Sequence, residues 1–342
     1  MLHGCFTAVV TPMTPEFRVD MAGLEKLVEF QVAQGVSGVL AVGTTGESPT
    51  LSWGEHNRVV ERVCSMAKGR ATSIAGTGSN NTEEALRATE HAADAGADAA
   101  LLVDPYYNGP SSLEIRREYV SPVAAAFPGI DIIPYIIPGR SGTQLLPEDV
   151  AMLKDEHTNV RTVKEATGSL DNAARTRECC GDEFSILSGD DSLALEMMAD
   201  ERIRGGGVVS VMSNVVPGAM QRMCDAQKAG DAVTAQRIRA NLAPLFSMCG
   251  VKTMESTPYG DRSVNARNPL PLKMLMNILG MPAGPCRRPL GKMTRNGVRV
   301  VLENARKVHE NDPTLFAPVA DFFGVDVVAR LEDASIVDEL SY

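Results

Sequence analysis

Short runs of apolar and β-branched residues alternate along the chain with longer stretches whose apolar positions recur at helical spacing. Such short runs predict strands that are buried on both faces, as in a parallel sheet covered by helices. Eight of them in series, with helical stretches between, predict an α/β fold. The predicted strands are Cys5–Thr11, Gly38–Val42, Ala71–Gly76, Ala99–Asp104, Ile130–Ile136, Val160–Glu165, Phe184–Ser188 and Gly207–Val211.

The helical stretches between the strands carry recognisable start and stop signals. In the third one, Asn81 or Thr82 can cap the helix, Glu83 and Glu84 lie in the favourable first turn, and Gly96 ends it. The predicted helices of this part of the chain include Met21–Gln34, Trp53–Ala67, Thr82–Ala95, Leu113–Ala126, Pro147–Asp155, Leu193–Asp200 and, as the eighth, about Pro217–Ala229.

Strand and helix units in this number predict a closed (β/α)₈ TIM barrel over residues 1–230. A doubly wound open sheet is the alternative, but no GxGxxG follows the first strand. Residues 231–311 are predicted to form a C-terminal helical region with an inserted polar loop near 250–267, and residues 312–342 a C-terminal extension that docks through its apolar side chains. The helices predicted here are Ala232–Met248, Leu270–Leu279 and Thr294–Glu310.

Composition and charge narrow the classes of function. Apolar residues make up 44% of the 342 residues, and the net charge of −10 argues against a nucleic-acid or membrane partner. No window approaches the roughly 20 apolar residues that span a bilayer, and no basic segment precedes an apolar run as in a signal peptide. Seven cysteines without a CxxC pair predict free thiols and a cytoplasmic protein, and five histidines without ligand spacing predict no metal site.

The most informative residue is Lys164, which interrupts the apolar strand that begins at Val160. A lysine that faces a cavity inside a barrel loses hydration, which lowers its pKa and leaves an amine able to form a Schiff base with a carbonyl. The alternative is a lysine at a strand end that extends to water or pairs with Glu165.

Polar residues follow the predicted strands at the end where TIM barrels place their active sites. The turn Gly43-Thr44-Thr45-Gly46-Glu47 offers backbone N–H groups and two hydroxyls to a carboxylate. Each of these features also has a purely structural explanation: this applies to the turn, the paired tyrosines, the lone arginine and the aspartates. His56 is expected on the surface of a helix. Together with Lys164 these groups suit carbon–carbon bond chemistry on a 2-oxo acid. The other strand ends carry Gly76-Thr77-Gly78, Asp104-Pro105-Tyr106-Tyr107-Asn108, Tyr135 with Pro138-Gly139-Arg140-Ser141-Gly142, and Ser188-Gly189-Asp190-Asp191.

In combination these motifs resemble the dihydrodipicolinate synthase/N-acetylneuraminate lyase family. The resemblance runs from about Gly4 to Met248 and resumes at Asn268. It implies a class I aldolase-type condensation of pyruvate with L-aspartate 4-semialdehyde, which gives 4-hydroxy-tetrahydrodipicolinate on the diaminopimelate route to lysine. The motifs that carry it are Gly43-Thr44-Thr45-Gly46-Glu47, Pro105-Tyr106-Tyr107-Asn108, Tyr135 with Pro138 and Arg140, Val163-Lys164-Glu165-Ala166-Thr167-Gly168, Ser188-Gly189-Asp190-Asp191 and Asn268-Pro269-Leu270-Pro271-Leu272-Lys273.

The resemblance also implies a role for individual residues. Lys164 would form the imine with pyruvate, so that no cofactor is required, and a proton relay would serve it. The family is commonly a homotetramer built as a dimer of dimers, in which the second tyrosine of the pair reaches a neighbouring subunit's site. The implied relay residues are Tyr135, Thr44 and Tyr107, and the implied substrate-binding residues are Thr45 for the pyruvate carboxylate, Arg140 for the semialdehyde carboxylate, and Gly189 and Val209 near the imine.

The resemblance leaves three questions open. Sialic acid lyases and 2-keto-3-deoxy sugar acid aldolases of the same family remain alternatives, although the sialic acid lyases usually lack an arginine at the position of Arg140. The non-enzymatic alternative is a barrel that has only a binding or regulatory role. Ile136 stands where the family commonly has asparagine, which puts the local hydrogen bonding in doubt. Feedback inhibition by lysine is a further expectation, at the residues Ser48, Pro49, Trp53, His56, Asn80, Glu84 and Tyr106.

Overall fold

Eight parallel strands form a closed barrel in the order in which they occur along the chain. The structure is a computed structural model that describes residues 1–342. The first strand pairs with both the second and the eighth, which closes the sheet and confirms the predicted (β/α)₈ barrel. The strands are β1 (Gly4–Ala8), β2 (Gly38–Ala41), β3 (Thr72–Gly76), β4 (Ala99–Val103), β5 (Asp131–Ile136), β6 (Thr162–Glu165), β7 (Ser185–Ser188) and β8 (Gly207–Ser210).

Helices surround the barrel and continue the chain beyond it, and no helix combines the length and the hydropathy needed to cross a bilayer. Around the barrel lie α1 (Met21–Ala33), α2 (Trp53–Ala67), α3 (Thr82–Asp94), α4 (Ser112–Glu114), which runs through a π turn (Ile115–Val120) into α5 (Ser121–Ala126), α6 (Pro138–Ser141), α7 (Pro147–Glu156), α8 (Leu170–Cys180), α9 (Ala194–Ala199) and α10 (Pro217–Lys228). The later helices are α11 (Ala232–Phe246), α12 (Leu270–Ile278), α13 (Arg295–Asn311), α14 (Ala317–Phe323), α15 (Val327–Glu332) and α16 (Ile336–Leu340).

The barrel separates two layers of apolar side chains. A small cluster fills its interior, and larger clusters lie between the strands and the helices. Successive residues of a strand point to opposite sides, so Tyr135 belongs to the interior cluster whereas Ile136 belongs to an outer one. The side chain of Ile136 therefore lies on the opposite side of the sheet from the barrel interior, away from Tyr135 and Lys164.

The segment predicted as a polar loop near 250–267 is instead an antiparallel hairpin. Its strands are β9 (Gly250–Glu255) and β10 (Arg262–Arg267), in register from Gly250 opposite Arg267 to Glu255 opposite Arg262. The loop prediction is wrong because most of the hairpin faces solvent, so the apolar alternation that reveals a strand is nearly absent. Only Val251 is fully buried, and Glu255 accepts hydrogen bonds from Thr294 and Asn296 at the start of α13.

The C-terminal extension folds against the body, as its apolar residues predict. Phe322 and Phe323 pack their rings against Phe30 of α1, with centroids 5.2 and 5.1 Å away. The guanidinium of Arg330 donates to the carbonyl oxygens of Asn277 and Ile278 at the end of α12. The extension thus covers α1 and α12 on the outside of the barrel.

Candidate active site

Lys164 lies inside the barrel on β6, and its side chain is only 6% exposed. Strand pairing places it beside Tyr135 of β5, and its Nζ lies 3.8 Å from the centre of the tyrosine ring. No hydrogen bond or ion pair involves Nζ, which excludes the alternative of a lysine that pairs with Glu165. The amine therefore faces the barrel interior without an anionic partner in contact.

Burial lowers the pKa of Lys164 from its ordinary value to about 7, an effect that the carboxyl group of Asp191 opposes and the Arg140 guanidinium reinforces. Loss of hydration destabilises the ammonium form more than the neutral form. A substantial fraction of the lysine is therefore an uncharged amine near neutral pH. This is the form that attacks a carbonyl carbon.

Tyr135 is also buried, and its phenol remains protonated. Burial raises its pKa to about 12, and the opposing influences of Arg140 and the Thr44 side chain are smaller. A protonated phenol can donate a proton and accept one in return when a second hydroxyl lies nearby. Thr44 lines the same cavity as Tyr135, so the structure brings Lys164, Tyr135 and Thr44 together.

The cavity, of about 210 Å³, opens at the carboxyl ends of β2 to β5. Arg140 lies on its rim in the short helix α6, where its guanidinium is exposed to solvent. A guanidinium at the mouth of a pocket is well placed to bind a carboxylate. The residues around the cavity are Val42, Gly43, Thr44, Ser48, Pro49, Gly76, Gly78, Leu101, Val103, Tyr106, Tyr135, Ile137, Arg140 and Ser141.

Thr45 is placed differently from its neighbour Thr44. Its side chain is buried, and its Oγ1 accepts a hydrogen bond of 2.9 Å from the side-chain amide of Asn268. The hydroxyl hydrogen of Thr45 remains free to donate. Asn268 also accepts, through its main-chain oxygen, a hydrogen bond of 3.1 Å from Arg140. It therefore joins the loop after β2 to the loop after β5.

Gly189 lies close to the lysine, and Val209 faces the barrel interior. A Cβ on Gly189 would lie 2.7 Å from the Cβ of Ala166 and 3.1 Å from the Cε of Lys164, so only glycine fits there. Val209 is buried in the interior cluster with Tyr135. Gly189 therefore forms part of the wall beside the lysine side chain.

Tyr107 is not brought to the other relay candidates within this chain. It is 92% exposed and has a left-handed φ of 82°, which is rare for a side chain of this size. Its neighbour Tyr106 lines the cavity instead. The role of Tyr107 in a neighbouring subunit stays a prediction.

Two residues with contacts in this region, Asp191 and Asn268, were not assigned a role from the sequence. Asp191 is fully buried, and its Oδ2 accepts hydrogen bonds from the backbone N–H groups of Val211 and Met212 after β8, rather than capping a helix. Asn268 is the other residue, and the only signal for it was its place in the Asn-Pro motif that follows the hairpin. Neither contact is visible in the sequence, because each joins distant parts of the chain.

The residues expected to bind lysine are only partly assembled. Three of them, Ser48, Pro49 and Tyr106, line the cavity described above. The Oγ of Ser79 donates a hydrogen bond of 2.5 Å to Glu84, and burial followed by the charge of Glu84 raises the pKa of Tyr106. These five residues place a carboxylate beside the cavity.

The remaining three lie around the start of α2 and before α3. His56 is buried, contrary to the expected surface position, because its Nε2 forms a hydrogen bond of 2.9 Å with the carbonyl oxygen of Gly76. Trp53 is half exposed with its ring edge towards His56, and Asn80 is exposed. The structure does not bring Asn80 into the cavity.

Known proteins resemble this chain over most of its length. The model of the Dihydrodipicolinate synthetase family matches residues 1–305, which leaves the C-terminal extension outside the match. A 4-hydroxy-tetrahydrodipicolinate synthase of Alcanivorax borkumensis is 42% identical over 308 residues, covering 90% of this chain and 98% of that protein.

Solved structures with the same fold include two complexes. A structure of DHDPS from Cyanidioschyzon merolae with lysine bound has a TM-score of 0.81 and 33% identity, covering 90% of this chain and 98% of that one. A chloride-inhibited dihydrodipicolinate synthase from Acinetobacter baumannii complexed with pyruvate has a TM-score of 0.79 and 33% identity, covering 90% of this chain and 99% of that one. The chain therefore belongs to the dihydrodipicolinate synthetase family.

Proposed function

We propose that this chain condenses pyruvate with L-aspartate 4-semialdehyde to give 4-hydroxy-tetrahydrodipicolinate, a step towards diaminopimelate and lysine. The observation that carries the proposal is the buried Lys164 amine, with its pKa lowered to about 7, in contact with the ring of Tyr135. Among the relatives, the Alcanivorax borkumensis protein bears the name of this activity.

The reaction follows from the chemistry of a buried amine. Lys164 attacks the keto carbon of pyruvate and water leaves, which forms an imine without any cofactor. Loss of a proton from the methyl carbon gives an enamine, whose carbon attacks the aldehyde of the second substrate. The amino group of that substrate then attacks the imine carbon, which closes the ring and releases Lys164.

We assign the proton transfers to Tyr135 and Thr44, since both lie beside the amine or the cavity. Thr45 and the N–H groups of its turn would hold the pyruvate carboxylate, and Arg140 at the rim would hold the carboxylate of the semialdehyde. Gly189 and Val209 would form the wall near the imine.

We further assign Tyr107 to the site of a neighbouring subunit in a homotetramer. Its 92% exposure and left-handed backbone support this, because such a conformation persists where surrounding contacts determine it. A cytoplasmic location is part of the same proposal, since all seven cysteines are free thiols.

Borohydride trapping tests the proposed function directly. The protein is incubated with pyruvate, reduced with borohydride and analysed by mass spectrometry, and we expect a pyruvate-derived adduct on Lys164. The Lys164→Ala variant should give no adduct. The control variant Lys252→Ala, which replaces an exposed lysine of the hairpin, should give the wild-type amount. A folded wild-type protein without an adduct would contradict the proposal and favour a binding role.

The identity of the aldehyde is tested separately. With pyruvate present, turnover is measured with aspartate semialdehyde, N-acetylmannosamine and glyceraldehyde. Of the three aldehydes, we expect only aspartate semialdehyde to be turned over. The Arg140→Ala variant should have a higher KM for the semialdehyde and unchanged trapping of pyruvate. Turnover with either of the other aldehydes instead would assign the chain to the lyase or sugar acid aldolase activities of the family.

We also propose that lysine inhibits the enzyme beside the same cavity. Ser48, Pro49 and Tyr106 line the cavity that holds Thr44 and Tyr135, and Glu84 supplies a carboxylate for an ammonium group. Lysine at about 1 mM is expected to lower turnover and raise the melting temperature. Glu84→Gln should abolish both effects, whereas Glu83→Gln, an exposed residue of the same helical turn, should retain them. If lysine changes neither quantity in the wild type, this second proposal fails.

A further inference from the structure

A second lysine of the chain is as deeply buried as Lys164 but lies outside the barrel interior. Lys273 of α12 forms an ion pair with Glu47, with 2.7 Å between Nζ and Oε1, and both side chains are almost completely inaccessible. The two residues are 226 positions apart in the chain. The pair connects the C-terminal helical region to the loop after β2.

Every polar group of this pair is used inside the protein. The Nζ of Lys273 donates to Glu47, to the carbonyl oxygen of Thr11 at 3.1 Å and to that of Pro285 at 2.8 Å. The second carboxylate oxygen of Glu47 accepts from the backbone N–H of Arg287 at 2.8 Å. An ammonium has three donors, so Lys273 has none left for a substrate. It is therefore not a catalytic residue.

Glu47 is the last residue of the turn that carries Thr44 and Thr45. Its backbone is left-handed, with φ 59°, a conformation that a non-glycine residue keeps only where its surroundings determine it. The carbonyl oxygen of Gly46 also accepts a hydrogen bond of 2.7 Å from the hydroxyl of Thr11. Thr11 thus contacts both the turn and Lys273.

We propose that Lys273 is a positioning residue, which through Glu47 holds the turn from Gly43 to Glu47 in the conformation that binds the keto acid. Stability alone is a weak reason for such a pair, because well-packed apolar residues often replace a buried ion pair without loss of stability. What an apolar pair lacks is direction: three acceptors around one ammonium define where Glu47 lies. The proposal rests on the proposed function of the turn.

The test separates position from stability with a double variant. Lys273→Met combined with Glu47→Leu removes both buried charges, so the melting temperature should fall less than in Lys273→Met alone, which leaves the Glu47 carboxylate without its cation. The half-saturating pyruvate concentration for borohydride trapping should nevertheless rise roughly tenfold, because small displacements of a binding group have large effects. Backbone amides from Gly43 to Glu47 should also exchange hydrogen faster.

Two further variants keep the test decisive. Glu47→Gln preserves the shape of the side chain but removes its charge. This variant takes the place of the double variant if the latter does not fold, and the same rise in the half-saturating pyruvate concentration is expected. The control Phe30→Leu lies in the core beneath the C-terminal extension. It should lower the melting temperature while leaving pyruvate trapping and exchange of the turn unchanged.

The proposal is overturned if a folded variant of the pair keeps both the half-saturating concentration, to within about twofold, and the amide exchange of the wild type. Failure of the proposed function has a different signature, because the wild type then traps no pyruvate at all. In that case only the hydrogen exchange of the backbone amides from Gly43 to Glu47 tests the positioning role of Lys273. Unchanged exchange rejects a positioning role for Lys273, and faster exchange supports it.

Discussion

The chain buries two lysines in contrasting surroundings. Lys164 lies inside the barrel against the ring of Tyr135 and makes no hydrogen bond, and burial lowers its pKa to about 7. Lys273 lies between α12 and the loop after β2, where a carboxylate and two carbonyl oxygens accept its three N–H groups. Burial is common to both, so the difference lies in their partners.

The contrast shows which surroundings leave a buried lysine amine able to act as a nucleophile. An ammonium whose three N–H groups donate to an anion and two carbonyl oxygens has no free electron pair and is not a nucleophile. An amine that is desolvated without a contacting anion loses its proton easily. The carboxyl group of Asp191 favours the charged form of Lys164 but makes no ion pair with its Nζ. The Oδ2 of Asp191 instead accepts from the backbone N–H groups of Val211 and Met212.

The strongest test of this contrast replaces each lysine by methionine. Lys164→Met should lower turnover by at least about 10⁴-fold, as for other covalent nucleophiles, without loss of stability. Lys273→Met should lower the free energy of unfolding by about 3 to 5 kcal/mol, because it leaves the Glu47 carboxylate buried without its cation. Turnover and urea unfolding measured on both variants check this. Equal effects of the two substitutions on stability would remove the distinction.

The pH dependence of pyruvate trapping tests the state of the Lys164 amine. Because its pKa is about 7, the neutral fraction is nearly constant above that pH and falls about tenfold for each pH unit below it. The initial rate of adduct formation at low pyruvate should follow the same curve. A rate that keeps rising to about pH 10 would mean that Lys164 has the pKa of an ordinary lysine.

The same shift predicts how stability depends on pH. In the unfolded chain Lys164 regains its ordinary pKa of 10.5, so between about pH 7 and that value the unfolded state binds more protons than the folded state. The destabilising contribution of Lys164 therefore shrinks as pH rises across this window, and the full cost of burying the ammonium is present below it. That cost is at most about 5 kcal/mol.

The variant Lys164→Met serves as the reference for this measurement. Its advantage in melting temperature over the wild type should be largest near pH 6 and should shrink towards about pH 9. A difference that does not change with pH would show that the ammonium is not destabilised by burial in the folded protein.

The smallest expected effect concerns Asn268, which links the surroundings of the two lysines. Asn268→Ala removes the hydrogen bond to Thr45 but keeps the main-chain contact with Arg140. A lost hydrogen bond of this kind is worth about 1 kcal/mol, so the half-saturating pyruvate concentration should rise roughly fivefold. As a control, Asn241→Ala on α11 removes a comparable hydrogen bond to Asp312 and should leave that concentration unchanged.

Much of the fold was predictable because its signals are local. All eight strands follow from short apolar runs, and Asn81 caps α3 through its hydrogen bond to the backbone N–H of Glu83, as its sequence position predicts. The hairpin was missed because a strand with solvent on most sides carries little apolar alternation, although its Pro258 and Gly260 do lie in the turn between the two strands.

In the candidate site too, features with a local sequence signal were predictable and those that depend on distant parts of the chain were not. Lys164 stood out because a charged residue interrupts an apolar strand, and the position of Gly189 was implied by the family resemblance of the motif Ser188-Gly189-Asp190-Asp191. The partner of Thr45 could not be predicted, since Asn268 lies 223 positions away. Nor could the left-handed backbone of Tyr107 be predicted, since it depends on the path of a loop.

By itself the sequence determined the order and type of the barrel elements, since the periodicity of apolar residues and the helix caps act over a few neighbouring positions. It also determined which chemical groups stand at the strand ends. Only the tertiary structure decided that Lys164 lies against Tyr135 without an anion while Lys273 is paired with Glu47. Desolvation and ion pairing depend on what surrounds a group in space, and the groups that meet there come from distant parts of the chain.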